Sequence, residues 1–261
     1  MAGISAVILT KNEEQRIHRC LNSLKDWVDE IIIVDDESTD ATVAIAQGEY
    51  GARVISHPLQ NAFDRQRNLG MEAATQAWIL QMDADEVIPL QTQKAISQAL
   101  QEPKGCEGFE ILRQDCVGDV PLKHVGGCYQ LKLLHKGAGV YEGNIHESLK
   151  LKGPIGRIDG VIWHYAIDSV AEMIRRQNRY SDLESQKFLH ENPGIKEGQV
   201  KNKLIFKPFK TFIKHYLKHG GFKDGIPGLI WCTIHTLHPM IFWLKVLEGL
   251  QRKSVRTKGN L

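Results

Sequence analysis

Asp83 and Asp85 stand two positions apart directly after the apolar run Trp78-Ile79-Leu80-Gln81-Met82. A run of that kind reads as a buried strand, and alternate strand residues point the same way, so two carboxylates are delivered side by side at its carboxyl end. Ligands of open α/β sheets sit outside those strand ends. Two carboxylates there could grip one hard cation, Mg²⁺ or Mn²⁺, which takes oxygen ligands and keeps positions open for substrate phosphates. Taken alone, an Asp-x-Asp is more often a solvated turn. A second acidic pair, Asp35-Asp36, closes the run Glu30 to Val34. Alone it reads as ordinary acidity before a helix, favoured by the helix dipole.

The elements that must position these carboxylates follow from the hydrophobic pattern. Ile4–Leu9, Glu30–Val34, Arg53–Ser56 and Trp78–Met82 read as strands, and the segments between them as helices: apolar positions from Ile17 to Leu24, Thr42 to Ala46 with Ser38 or Thr39 as cap, and Asp64 to about Ala74. Strands alternating with helices predict a mainly parallel, Rossmann-like sheet flanked by helices. Both acidic pairs then open on one edge. After a helix at Leu90–Gln101, shorter strands near 109–113, 130–135, 148–152 and 157–163 are separated by Gly-rich turns and read as a smaller mixed sheet. A long amphipathic helix follows from Ser169 to His190, ended by Asn192-Pro193-Gly194. The expected organisation is therefore 1–101 and 102–168 as two halves of one α/β domain, and 169–261 as a helical extension.

Composition narrows the class. A chain of 261 residues with 42% hydrophobic and 25% charged residues is ordinary for a globular protein with a sizeable core. Its five cysteines form no CxxC pair and are odd in number, which argues against a zinc site or a disulfide framework and suits a reducing cytosol. Met1-Ala2-Gly3 leads directly into an apolar strand with no export signal. The net charge of +2 hides an asymmetry, because residues 200–261 carry twelve Lys or Arg against only Asp224 and Glu248. Such a tail suits an anionic partner.

The order strand, Asn12-Glu13-Glu14, helix, strand, Asp35-Asp36-Glu37-Ser38-Thr39-Asp40, helix, strand, Gln66-Arg67-Asn68-x-Gly70, helix, strand, Asp83-x-Asp85 resembles the family 2 glycosyltransferases, which have the GT-A fold. The resemblance implies a nucleotide-diphosphate sugar donor. Thr10, Asn12, Glu13, Asp35 and Asp36 would line its nucleoside pocket, with Asp36 accepting from the base imide N–H. Arg67, with Arg65 as competitor, would meet the diphosphate. Asp85 would coordinate the metal, and Asp83 would bind the metal, a metal-bound water or the ribose.

An inverting transfer also needs a base for the acceptor hydroxyl. His146-Glu147 resembles the His-Glu pair of a branch of bacterial enzymes that build the lipopolysaccharide core, which makes Glu147 the expected base with His146 orienting it. His164, in a His164-Tyr165 pair that also resembles the branch, would help hold metal or diphosphate. Departures from that branch are Lys132, where an Arg is common, and Arg175-Arg176, near a usual Lys.

The tail motifs Lys207-Pro208-Phe209-Lys210-x-Phe212 and Gly220 to Gly225 extend the resemblance over most of the chain. Alternating lysines and aromatics suit an anionic membrane surface. The apolar stretch 226–247 holds Pro227 and Pro239 and reads as a helix pair lying on the protein or in the membrane interface, rather than a spanning helix. The resemblance thus implies a metal-dependent hexosyltransferase, with UDP-glucose the favoured donor and a lipid-linked acceptor such as the lipopolysaccharide inner core, peripheral on the cytoplasmic face of the inner membrane. A polyprenyl phosphate or protein acceptor is the alternative within the class; a non-catalytic nucleotide-binding or nucleic-acid-binding module is the alternative outside it. No nucleic-acid motif is present.

Overall fold

The computed structural model describes residues 2–59, 63–143 and 148–258. In chain order its elements begin β1 (Ile4–Thr10), α1 (Ile17–Asn22), β2 (Glu30–Asp35), α2 (Thr42–Tyr50), β3 (Arg53–Ser56), α3 (Phe63–Ala73), β4 (Trp78–Asp83), β5 (Glu86–Val87) and α4 (Leu90–Gln101). They continue with β6 (Gly108–Val117), β7 (Val120–Pro121), β8 (Gly127–His135), β9 (Gly139–Glu142), β10 (Ser148–Leu151), β11 (Ile155–Ile167), α5 (Val170–Glu191), α6 (Glu197–Ile213) and α7 (Gly225–Lys258). The chain forms two compact units, residues 1–114 with 128–164, and residues 115–127 with 165–261.

In the first unit the strand order is β3-β2-β1-β4-β8-β6-β11-β5. β3, β2, β1 and β4 run parallel, β8 is antiparallel to β4, and β5 is antiparallel to β11. The central parallel strands β1, β2 and β4 are mostly apolar and buried along nearly their whole length because helices cover both faces. Ile8, Ile33, Leu80 and Met82 pack on one side with Ile17, Leu21 and Ile96 of the helices. Val7, Ile32, Val34 and Ile79 pack on the other with Met71 and Ala74. Period-two alternation thus divides each strand between two cores.

Two expectations are corrected here. The strands near 109–113, 130–135 and 157–163 do not make a smaller sheet; they extend the main one as β6, β8 and β11, because Ile111, Leu133, Ile158 and Ile162 are buried in the same core as β1 and β4. Among the described residues, β9 and β10 alone stand apart, as a two-stranded antiparallel sheet. The start of α2 is capped by neither Ser38 nor Thr39. Asp40 Oδ1 accepts from Thr42 N at 3.0 Å, while the other two bind the preceding loops.

The second unit is built on α5, α6 and α7. Ser169 Oγ accepts from Glu172 N at 3.1 Å and starts α5, a cap of the usual kind. Val200, Trp243 and Val246 form a core with Phe188 and Leu189. α6 runs into a π-helical turn, Lys214–Lys218, then a 3-10 turn, Gly221–Asp224. Asp224 ties this turn to residues 123–125. Its Oδ1 accepts from Lys123 N at 3.0 Å, and its Oδ2 accepts from His124 N at 3.0 Å and Val125 N at 3.2 Å. The expected helix pair over 226–247 is instead one helix of 34 residues that passes through Pro239. Among the described residues no helix is long and apolar enough to cross a membrane. The five cysteines are free.

Candidate active site

Parallel pairing places Thr10 beside Asp35 and Leu9 beside Asp83, so the ends of β2, β1 and β4 form one row at a single sheet edge. The two members of the first acidic pair do different work. Asp35 is buried, and its oxygens accept from Thr10 Oγ1 at 2.9 Å, Ser38 Oγ at 2.6 Å and Ser38 N at 2.7 Å. It holds the loop after β2 closed. Asp36 is half-buried, with Oδ1 accepting from Leu59 N at 2.7 Å and Oδ2 lying 3.5 Å from the Lys11 ammonium.

The loop after β1 is laced to the loop after β2. Asn12 takes a positive φ of 54°, a conformation that asparagine tolerates better than most residues. From there its N–H donates to Ser38 Oγ and its Oδ1 accepts from Thr39 N, both at 2.8 Å. Glu13 receives both Arg16 Nε at 2.6 Å and Arg16 Nη2 at 3.0 Å. Asn12 and Glu13 therefore shape the rim beside Asp36 through their loop contacts.

At the end of β4 the two aspartates belong to a network that the sequence pattern did not reveal. Glu86, wholly buried, receives Lys132 Nζ at 2.7 Å on each oxygen and lies 2.8 Å from Arg113 Nε. Its Oε2 also accepts from Asp83 N at 2.9 Å. Asp83 accepts from Arg67 Nη2 at 3.1 Å and lies 3.9 Å from Lys132 Nζ. Asp85 Oδ2 lies 3.4 Å from His164 Nε2, and that nitrogen lies 2.6 Å from Arg113 Nη2.

Burial pushes the Asp83 carboxyl up, but Lys132, Arg67 and Arg113 together outweigh it and hold Asp83 well below the usual carboxylate range. Burial also raises Asp85. The hydrogen bond and charge of His164, with Arg113, overcome both that and repulsion from Asp83, so Asp85 too is lowered. Both are anions at neutral pH.

α3 carries the third motif, and each residue of it has a separate contact. Gln66 Nε2 donates to His57 O at 2.6 Å, just past β3. Asn68 makes two backbone-like bonds to Tyr141 of β9, donating to its carbonyl and accepting from its N–H, both at 2.9 Å. Gly70 lets the helix settle onto Val7 and Val34. Arg67 is left facing Asp83, with its guanidinium carbon 5.5 Å from the Tyr141 ring centre. Arg65 is exposed at the helix surface. His146 and Glu147 stand in the connection between β9 and β10 and lie outside the described residues.

The implied divalent cation can be tested against these donors. Among the described residues no three His, Cys, Asp or Glu side chains gather closely enough to hold a metal by themselves. Mg²⁺ and Mn²⁺ do not need such a cage, since they bind through one or two carboxylates with substrate phosphates and water. Asp85 fits that role. Asp83 already faces Arg67 and Lys132, and a cation would compete with Arg113 for His164.

The profile described as glycosyl transferase family 2 matches residues 5–131. An uncharacterized glycosyltransferase from Rickettsia felis is 30% identical over 243 residues, 87% of this chain and 85% of the relative. The chain is a glycosyltransferase, and it belongs to family 2. Its sheet, with helices on both faces and a helical C-terminal region, is the GT-A arrangement expected of that family. It is also similar to the lipopolysaccharide core biosynthesis glycosyltransferase LpsC of Rhizobium meliloti, 26% identical over 99% of this chain and 96% of the relative. Among solved structures, S. aureus TarS 1-349 in complex with UDP matches with a TM-score of 0.48 at 16% identity, over 96% of this chain and 92% of that one.

Proposed function

We propose that this protein is an inverting glycosyltransferase that moves a hexose, glucose, from UDP-glucose to a lipid-linked saccharide of the lipopolysaccharide inner core. The observation that carries the reading is the row of strand ends where Asp36, Asp83 and Asp85 share one sheet edge, with Arg67 of α3 facing Asp83. Asp36 suits acceptance from a uracil N–H, and Arg67 suits a diphosphate. Mg²⁺ or Mn²⁺ held by Asp85, with Asp83 or His164, would neutralise the charge of the leaving nucleoside diphosphate. Glu147 is the base for the acceptor hydroxyl and His146 orients it. Similarity to LpsC over nearly the whole of both chains supports the choice of acceptor.

A peripheral position on the cytoplasmic face of the inner membrane belongs to the same reading. In the second unit Ile205, Phe206, Phe209 and Leu217 are exposed beside Lys203, Lys207, Lys210, Lys214 and Lys218. Rings entering an interface and ammonium groups on headgroup phosphates suit that surface.

The test is nucleotide release from UDP-, GDP-, ADP- and CMP-sugars with purified lipid-linked core acceptor, with Mn²⁺, with Mg²⁺ and with EDTA. The expected result is release of UDP from UDP-glucose that requires both acceptor and metal. Glu147→Gln should nearly abolish turnover while donor binding persists. Absence of turnover with every donor would reject the reading, and full turnover by Glu147→Gln would reject the base.

A further inference from the structure

We propose that Glu86 is a positioning residue that sets the charge balance of the diphosphate site, acting on Asp83 and Asp85 through one cation each; this rests on the donor reading above. Glu86 is too deep to touch a donor, being wholly buried on β5, whose backbone pairs with β11 at Glu86 and His164. From its carboxylate one branch runs through Lys132, 2.7 Å away, to Asp83 at 3.9 Å. The other runs through Arg113, 2.8 Å away, to His164 at 2.6 Å and on to Asp85 at 3.4 Å.

A buried ion pair is a poor device for stability, because well-packed apolar residues of similar volume do as well or better. One cation would also suffice to compensate one carboxylate. Glu86 engages two, Lys132 nearest to Asp83 and Arg113 reaching Asp85 by way of His164. Its negative charge keeps Lys132 and Arg113 from neutralising those aspartates fully, so that the strand end remains able to attract a divalent cation.

Opposite changes for cation and anion follow, which a role in packing alone does not produce. Glu86→Gln keeps the shape and removes the charge. It should weaken Mn²⁺ binding by at least about tenfold and tighten metal-free UDP binding at least severalfold, the directions that loss of one negative charge dictates for a cation and an anion. The double variant Glu86→Gln/Lys132→Met removes one charge of each sign and should return both affinities to within about threefold of the unaltered protein.

Calorimetric titration of the full chain with MnCl₂ alone, and with UDP in EDTA, reads both constants. Weakening of both ligands in Glu86→Gln, no change in either, or a double variant no closer to the unaltered protein than the single would each overturn the proposal. Should Glu86→Gln fail to fold, the double variant and Lys132→Met carry the test, Lys132→Met being expected to bind Mn²⁺ more tightly and UDP more weakly; the reverse overturns it. An unaltered protein that binds none of UDP, GDP, ADP or CMP, with or without Mn²⁺, overturns the donor reading as well, which separates the two failures.

Discussion

Replacing Gly70 by alanine tests whether the seating of α3 positions the site. A Cβ at residue 70 would lie 2.3 Å from Val7 Cγ1 and 3.0 Å from Val34 Cγ2. Carbon atoms at rest sit about 3.5–4.0 Å apart, so the helix or the sheet must move by more than an ångström. The valines cannot easily yield. Both are fully buried, and β-branched side chains are stiff about χ1. Overpacking of this kind costs about 1–3 kcal/mol, against a gain of about 1 kcal/mol from replacing glycine inside a helix.

The net expectation for Gly70→Ala is a loss of about 0–2 kcal/mol, toward the upper end because two contacts are violated at once. Lifting α3 also moves Arg67 and Asn68, three and two residues earlier on the same helix, away from Asp83 and Tyr141. Stability and donor affinity should therefore fall together, with affinity reduced about tenfold if one charge-assisted hydrogen bond is weakened. Urea denaturation gives the first quantity and titration with UDP and Mn²⁺ the second. A Gly70→Ala protein as stable as the unaltered one, with unchanged donor affinity, would refute the argument that this helix is seated by direct contact of its backbone with the valines.

Two further perturbations separate the staple of the second unit from its surface. Asp224→Asn replaces one acceptor oxygen by an amide that faces N–H donors, and should cost about 2 kcal/mol or more, with faster hydrogen exchange at residues 123–125. Burial raises the Asp224 carboxyl, but the bond to His124 and three backbone N–H groups overcome it and leave it lowered. A lowered folded value means that its stabilisation is fully present above the unfolded value of about 3.9 and is lost as pH falls through the folded one; loss of protection at residues 123–125 already at neutral pH would contradict this. On the surface, Phe206→Ser with Phe209→Ser should abolish flotation with anionic liposomes, since each buried ring contributes about 1.5–3 kcal/mol, while nucleotide release from a delipidated acceptor is kept; undiminished flotation would locate any membrane contact elsewhere.

Part of this architecture was legible because parallel strands announce themselves. The runs that became β1, β2 and β4 are mostly apolar, their direction follows from the helices between them, and carboxylates at their ends must therefore meet at one edge. The division of labour within each motif was not legible. Asp35 and Asp36 are neighbours of identical chemistry, and only the arrival of Thr10 from β1 and Ser38 from the following loop consumes the first and leaves the second at the rim. Gln66 and Asn68 show no local sign that they complete the backbone bonding of His57 and Tyr141.

Glu86 follows the aspartate pair in sequence and Lys132 stood out as a departure from the branch, but that both meet Arg113 was hidden for a stronger reason. A charged residue in a strand reads as a solvent-facing position, and each of these lies on a different strand, β5, β8 and β6, whose meeting is decided by strand order. The spacing of Asp83 and Asp85 suggested a two-carboxylate clamp complete in itself. Instead each aspartate is already balanced by a cation or imidazole tied to the buried Glu86. On the proposal made above, the charge balance of this edge depends on Glu86, which directly follows the motif, and on Lys132 and Arg113 brought from two distant strands, so the motif marks the site without containing the cations that tune it.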